Sequence, residues 1–245
     1  MWRPPLLGGT NFIGAIRRFF DLQAGSIWND MKTLLPEQKG RILDVGCGSQ
    51  PFRPLLSKDA AYTGLDTNDA KYHFGYEVPD TVYYDGTTLP FEDSTFDAIL
   101  CTETMEHVLD CQFFVSELSR ALRSSGTLIL TVPFAARWHF IPHDYWRYTP
   151  SSLNHLLTNA SFDNIEVYAR GNHVTVACYK TMALVLPFLF SPIDNIFAKI
   201  LLRLTGLIFA PLVVVLAVIG NLGLLSPGGD DCLGYTVVAR KTSRK

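Results

Sequence analysis

Short apolar runs separated by turn residues set the rhythm of the first two thirds of this chain. RILDV, Arg41 to Val45, stops in Gly46-Cys47-Gly48, as a buried parallel strand does at a tight turn. AYTGLD, ending at Asp66, FDAILC (Phe96 to Cys101) and GTLILTVPF (Gly126 to Phe134) read as three more strands. Between the last two, VLDCQFFVSELSRALRSSG carries apolar residues at helical spacing and predicts a helix closed by Ser-Ser-Gly. After Pro150, SSLNHLLTNA predicts a helix with a serine N-cap, followed by the strands FDNIEVYA and GYTVVAR. Strands alternating with helices of this length predict parallel βαβ units and a doubly wound α/β sheet.

One stretch breaks the rhythm. Gly206 to Leu225 carries no charge over 20 residues, long enough to span a bilayer, yet it stands just before the last strand. A single crossing there would strand Gly234 to Arg240 on the far side of the membrane from their sheet, so one span is excluded. The preceding half, TMALVLPFLFSPIDNIFAKILLRL, is broken by Pro187, Pro192, Asp194, Lys199 and Arg203 and makes a poor second span. The expected form is one or two apolar helices lying in the interface, kinked at Pro211, with Lys180, Lys199 and Arg203 facing anionic head groups. A two-span hairpin, or a cap packed on the domain or on a second copy of the chain, are the alternatives.

Composition narrows the class. The chain has 245 residues and a formal net charge of −2, so no basic surplus marks it as a general nucleic-acid binder. Five cysteines without a CxxC pair indicate neither a zinc site nor a disulfide framework, and suit a reducing, cytoplasmic compartment. No metal is expected. The N-terminal stretch lacks the pattern of a signal peptide and reads as a loose arm followed by a short basic, aromatic helix.

Chemistry enters at LDVGCGSQP. Glycines at 46 and 48 let the backbone turn from strand to helix and leave peptide N–H groups open to a ligand. Asp66 ends the next strand eighteen residues after Gly48, where a carboxylate can accept both hydroxyls of a ribose. Gln50 replaces the third glycine of the dinucleotide fingerprint, which favours a nucleoside without phosphates.

LDVGCGSQP, Asp66, YDGTTLPFEDSTFDAILCTETMEHV and GTLILTVP together resemble the class I S-adenosylmethionine-dependent methyltransferases, in particular the type 11 group. The resemblance covers roughly Lys39 to Arg170 plus Gly234 to Arg240. It implies a Rossmann-like, mostly parallel seven-stranded sheet with an antiparallel last strand and S-adenosylmethionine as cofactor. By the same resemblance Asp44, Gly46, Cys47 and Gly48 line the methionine and ribose part, and Asp66 takes the ribose hydroxyls. Asp85 and Gly86 face the adenine, and Cys101 to Glu103 border the methionine end. Asp44 has a second reading as an organiser of the glycine turn, and Glu106-His107 one as an acidic helix start that suits the helix dipole.

The acceptor side is expected beyond the carboxyl ends of the strands, in AARWHFIPHDYWRYTP. Its aromatic and hydrogen-bonding side chains, Trp138, Tyr145, Arg147 and Tyr148 among them, suit a sugar ring. The HDYWRYTP run resembles a segment of methyltransferases from bacterial glycan and surface-polysaccharide clusters. His143, oriented by Asp144, is the candidate general base, with His139, or no protein base at all, as the alternatives. Asp144 has a competing use, pairing with Arg147 to brace the loop.

The expected organisation is an N-terminal arm and helix (1–38), the methyltransferase domain (39–171 and 232–245) and a hydrophobic helical insertion (172–231). A cytoplasmic enzyme resting on the inner face of the membrane, acting on a small-molecule or lipid-linked glycan acceptor, is the leading expectation; a homodimer through the insertion would be its assembly. A quinone-type acceptor, and a non-catalytic membrane scaffold, are the rivals.

Overall fold

A computed structural model describes residues 12–70, 78, 80–189 and 195–243. The arm expected ahead of Phe12 and the breaks expected at Pro192 and Asp194 lie outside these residues. Two helices, α1 (Phe12–Phe20) and α2 (Leu22–Leu34), precede the sheet, one more than the sequence suggests. The strands are β1 (Gly40–Val45), β2 (Ala60–Thr67), β3 (Thr81–Tyr84), β4 (Phe96–Thr102), β5 (Leu122–Pro133), β6 (Phe162–Arg170) and β7 (Gly234–Lys241). They form one seven-stranded sheet in the order β3-β2-β1-β4-β5-β7-β6. Strands β1 to β5 pair in parallel, and β7 runs antiparallel to both β5 and β6.

Helix α3 (Cys111–Ala121) joins β4 to β5 with Asp110 as its N-cap, and α4 (Pro150–Asn159) joins β5 to β6. Two predicted boundaries move. Helix α3 passes straight into β5, so Ser124-Ser125-Gly126 lie in the strand rather than capping the helix. Gly126 is needed there because a Cβ would meet the Arg123 and Asp97 carbonyl oxygens at 2.8 and 3.0 Å. The N-cap of α4 is Thr149 and not a serine: Pro150 takes the first helical position, and Thr149 and Ser152 cap each other's backbone.

The insertion is two antiparallel helices, α5 (His173–Leu189) and α6 (Ile196–Gly223). Glycines let them approach. A Cβ at Gly206 would stand 2.8 Å from the Leu189 side chain, and one at Gly223 would stand 2.4 Å from that of Thr175. The base is tied to the N-terminal helices, with Asn221 donating to the Phe19 carbonyl (2.9 Å) and Leu22 packed under Gly220. Leu22, Met182, Val213, Ala217 and Leu233 form a small core of their own there. Helix α6 runs through Pro211 as one assigned helix. Only 17% of its most apolar window is buried, so the cap reading fails as far as packing on the domain is concerned.

Candidate active site

The carboxyl ends of β1, β2, β3 and β4 border one cavity of about 720 Å³, within the range of small-molecule sites. Gly46 leaves β1 at φ +71, and a Cβ on it would strike the Thr104 hydroxyl at 2.2 Å, so the turn has room for no other residue. Gly48 turns again at φ +49 with open space where its Cβ would be. Its N–H donates to Asp66 Oδ2 at 2.9 Å, while Asp66 Oδ1 accepts from Thr67 N–H. Each carboxylate oxygen thus keeps a lone pair towards the cavity that Gly46, Cys47, Gly48 and Asp66 line. Burial raises the Asp66 pKa and the two N–H donors oppose it. A strand-end carboxylate with spare acceptors beside bare glycine backbone fits a ribose.

Asp85 and Gly86 complete this end of the wall. Asp85 Oδ1 accepts from both the N–H and the hydroxyl of Thr87, which lowers its pKa. Asp44 lies behind the wall rather than in it. It is buried in β1, with Oδ2 taking the Tyr62 hydroxyl proton at 2.8 Å and Oδ1 without a partner. Burial pushes its pKa up to about 7. Cys47 is buried at the turn, where burial and the Asp44 and Asp66 charges push its thiol up to about 12, so it contributes shape rather than a nucleophile.

At the end of β4 the expectation needs one correction. Cys101 is fully buried in the main core and does not reach the cavity; Thr102, Glu103 and Thr104 do. Strand alternation turns Cys101 to the helical layer. Glu103, at φ +48, is held from two sides that the sequence did not reveal: Arg170 Nη2 at 2.8 Å and Gln23 Nε2 at 2.9 Å. Arg170 is itself buried at the end of β6, and a charged residue closing a strand was the one legible sign of it.

The loop after β5 divides its residues. His143 and Tyr145 line the cavity, and His143 Nδ1 lies 3.0 Å from the Tyr145 hydroxyl. Asp144 does not orient His143. Its carboxylate is clasped by Arg147 at 2.6 and 2.8 Å and accepts the His139 N–H at 2.9 Å, so the bracing role holds and the orienting role falls. That clasp keeps the Asp144 pKa low, at about 2, against the opposing effect of burial. Arg147 is spent on it. Tyr148 is 4% exposed, in the core, donating to the Met105 carbonyl, and Trp138 is exposed outside the cavity wall; neither lines the acceptor space. Adjacent loop residues point apart, and the inward ones went to the core.

Glu106 is not at a helix start. It sits in a single 3₁₀ turn, Met105–His107, before α3, with its side chain fully buried and both carboxylate oxygens unpartnered. Burial first, then the Glu103 charge, raises its pKa well above the carboxylate range. Its neighbours are the Nε2 atoms of His107 (3.7 Å) and His139 (3.9 Å).

Residues 43–130 match the family model of a methyltransferase domain. The 27-O-demethylrifamycin SV methyltransferase of Amycolatopsis mediterranei (strain S699) is 30% identical over 109 residues, 40% of each chain. The ubiquinone biosynthesis O-methyltransferase of Bartonella tribocorum is 28% identical over 166 residues, 56% of this chain and 66% of that one. The chain spans about two-fifths of the length of the first curated relatives it matches. A solved S-adenosylmethionine-dependent methyltransferase from Archaeoglobus fulgidus shares the fold, with a TM-score of 0.53 over 94% of this chain and 100% of that chain, at 15% identity.

Proposed function

We propose that the chain, whose residues 43–130 match a methyltransferase domain, is a class I, type 11 S-adenosylmethionine-dependent enzyme that methylates a hydroxyl of a sugar carried on a lipid-linked glycan, at the inner face of the membrane. The observation that carries this reading is the single cavity, which joins the nucleoside-type wall of Gly48 and Asp66 to His143 and Tyr145.

The bound sulfonium supplies a methyl group already activated for transfer, so the chain has mainly to align and to exclude water. Gly46 and Gly48 allow close approach to bare backbone, but their N–H groups are taken by the Leu65 carbonyl and the Asp66 carboxylate and are not open as the sequence suggests, so Asp66 offers the polar contact to the nucleoside. Phe140 and Tyr145 wall the opposite side of the cavity. His143, whose Nδ1 is engaged with the Tyr145 hydroxyl, has Nε2 to take the acceptor's hydroxyl proton as the oxygen gains the methyl group. The apolar hairpin α5–α6 supports the lipid part of the proposal, because a sugar on a lipid carrier is met only at a membrane.

Titration calorimetry with S-adenosylmethionine tests the first step: micromolar binding is expected, lost in Asp66→Ala. Its absence in folded protein would leave the membrane scaffold. Transfer of labelled methyl into a lipid-linked glycan fraction, reduced at least about a hundredfold in His143→Ala, is expected next; a threefold reduction or less removes His143 as base. A quinone-type ring is the second reading, favoured by the match over 166 residues to an enzyme named for ubiquinone biosynthesis. Label in the quinone fraction and none in glycan would establish it.

A further inference from the structure

The buried carboxylate of Glu106 and the imidazoles of His107 and His139 create an electrostatic problem that the chain alone does not solve. His107 Nδ1 lies 2.6 Å from the His143 carbonyl oxygen. A carbonyl only accepts, so Nδ1 carries the proton. His139 Nδ1 stands between the Arg137 carbonyl (3.0 Å) and the Asp144 carboxylate (3.1 Å), which Arg147 holds as a carboxylate, so it too is the donor. In the neutral rings Nε2 is then a lone pair on both, and both lone pairs face Glu106 Oε1, at 3.7 and 3.9 Å. Glu106 is 0% exposed and neither of its oxygens has a hydrogen-bond partner. With Glu106 as a carboxylate three acceptors converge at the edge of the cavity, and the one proton that its raised pKa favours can satisfy only one of the two imidazole lone pairs.

We propose that Glu106, His107 and His139 bind a divalent d-block cation. One ligand atom from each of the three lies within 4.8 Å of the others. Bonds of about 2.0–2.1 Å at a tetrahedral ion separate ligands by roughly 3.4 Å, so Glu106 need approach each ring by only a few tenths of an ångström, and the widest pair, within 4.8 Å, closes by about 1.4 Å or less through rotation of the partly exposed rings. Two imidazoles and one carboxylate suit zinc or a neighbouring transition metal better than calcium or magnesium, which prefer oxygen alone. The outer partners are those a metal site requires: each ligating ring is held through its second nitrogen, one by a carboxylate and one by a backbone carbonyl. Three protein ligands leave at least one position for water or an acceptor oxygen.

The ion would fasten the loop that carries His139, His143 and Tyr145 to the turn that follows β4. Its presence does not depend on which acceptor the enzyme uses, nor on methyl transfer itself.

The test uses tag-free full-length protein, stripped with chelator and titrated with Zn²⁺ and, for its visible absorption, Co²⁺. About one equivalent is expected to bind, with a Co²⁺ spectrum of a four- or five-coordinate site. His139→Ala, at a half-exposed position, and Glu106→Gln, which keeps the shape, are each expected to weaken Zn²⁺ binding at least about a hundredfold. Circular dichroism and S-adenosylmethionine affinity monitor the fold of each variant. Failure of the folded wild-type protein to bind either ion overturns the site, as does unchanged affinity in folded His139→Ala. Loss of cofactor binding with the metal retained would count against the methyltransferase reading alone.

Discussion

Asp44 shows how a single buried carboxylate couples the cofactor turn to stability. Its pKa stands near 7 in the folded chain, raised from 3.8 chiefly by burial and further by Asp66, against the opposing Tyr62 hydrogen bond. The native state therefore binds the proton more tightly than the unfolded chain does, so stability falls as pH climbs from about 4 to about 7 and is level above. At full displacement this amounts to at most about 4 kcal/mol. Asp44→Asn, which keeps an acceptor for Tyr62, should match wild type near pH 4, exceed it at pH 8, and lose the slope between; urea unfolding across that range measures it. A wild-type slope retained in the variant would assign the effect to another group. Residues of this first wall were legible because their chemistry is local: Gly46, Gly48 and Asp66 follow strands whose ends the apolar pattern marks. Glu103 was legible too, but its partners Gln23 and Arg170 lie 80 and 67 residues away, and no local pattern joins them.

Caps and clasps decide how well the elements hold the site. Thr149 receives the Ser152 N–H and returns its own to the Ser152 hydroxyl, fixing the start of α4 at the exit of the acceptor loop. Thr149→Ala should lower stability by about 1 kcal/mol, whereas Ser151→Ala, at the position a serine cap would suggest, should change it by no more than about 0.3 kcal/mol. Chemical denaturation compares the two, and equal effects would return the cap to the serines. Arg120 does similar work in α3, bonding Glu117 (2.7 Å), Asp93 (2.9 Å) and the carbonyls of Leu89 and Phe91 (2.9 and 2.7 Å). Removing so many charge-assisted bonds in Arg120→Ala should cost about 2–3 kcal/mol and loosen 86–93, on the cavity's adenine side; hydrogen exchange in that segment reads it. The central strands β1, β4 and β5 were plain in the sequence because burial on both faces leaves no choice but apolar runs, whereas the four-residue, half-buried β3 was not read as a strand. The acceptor loop was only partly so: the Asp144–Arg147 pair is local and was named, but Tyr148 and Trp146 are spent on partners that only the folded chain brings near.

At the scale of the whole molecule the open matter is what covers the hairpin. Helix α6 is about 42 Å long and α5 about 26 Å at 1.5 Å per residue. The hairpin leaves from and returns to the sheet side, since Arg170 and Gly234 at the two ends of the excursion are paired across β6 and β7. A helix apolar on all sides is either a core helix or a lipid-facing one. Burial decides: Phe197 is 81% exposed, Ile208 74% and Leu201 66%, so the domain does not cover it. Lys199 and Arg203 stand on the opposite side of the same helix, about 200–240° round from Phe197, while Lys180, which the sequence offered to head groups along with them, donates to the Ala135 carbonyl instead. If the chain works at a membrane as proposed, this face meets lipid, and a fold that returns to its own sheet meets it from one side. Replacing Phe197, Leu201, Leu204 and Ile208 with serine removes four side chains worth about 1.5 kcal/mol or more each on burial, enough to weaken membrane partition by several powers of ten. Flotation with vesicles containing an anionic lipid should carry the wild-type protein and leave the variant at the bottom, with S-adenosylmethionine affinity equal in both. If the wild type instead stays down and sediments as a dimer that the variant does not form, the face belongs to a second copy of the chain, and the acceptor need not be bound to a membrane at all.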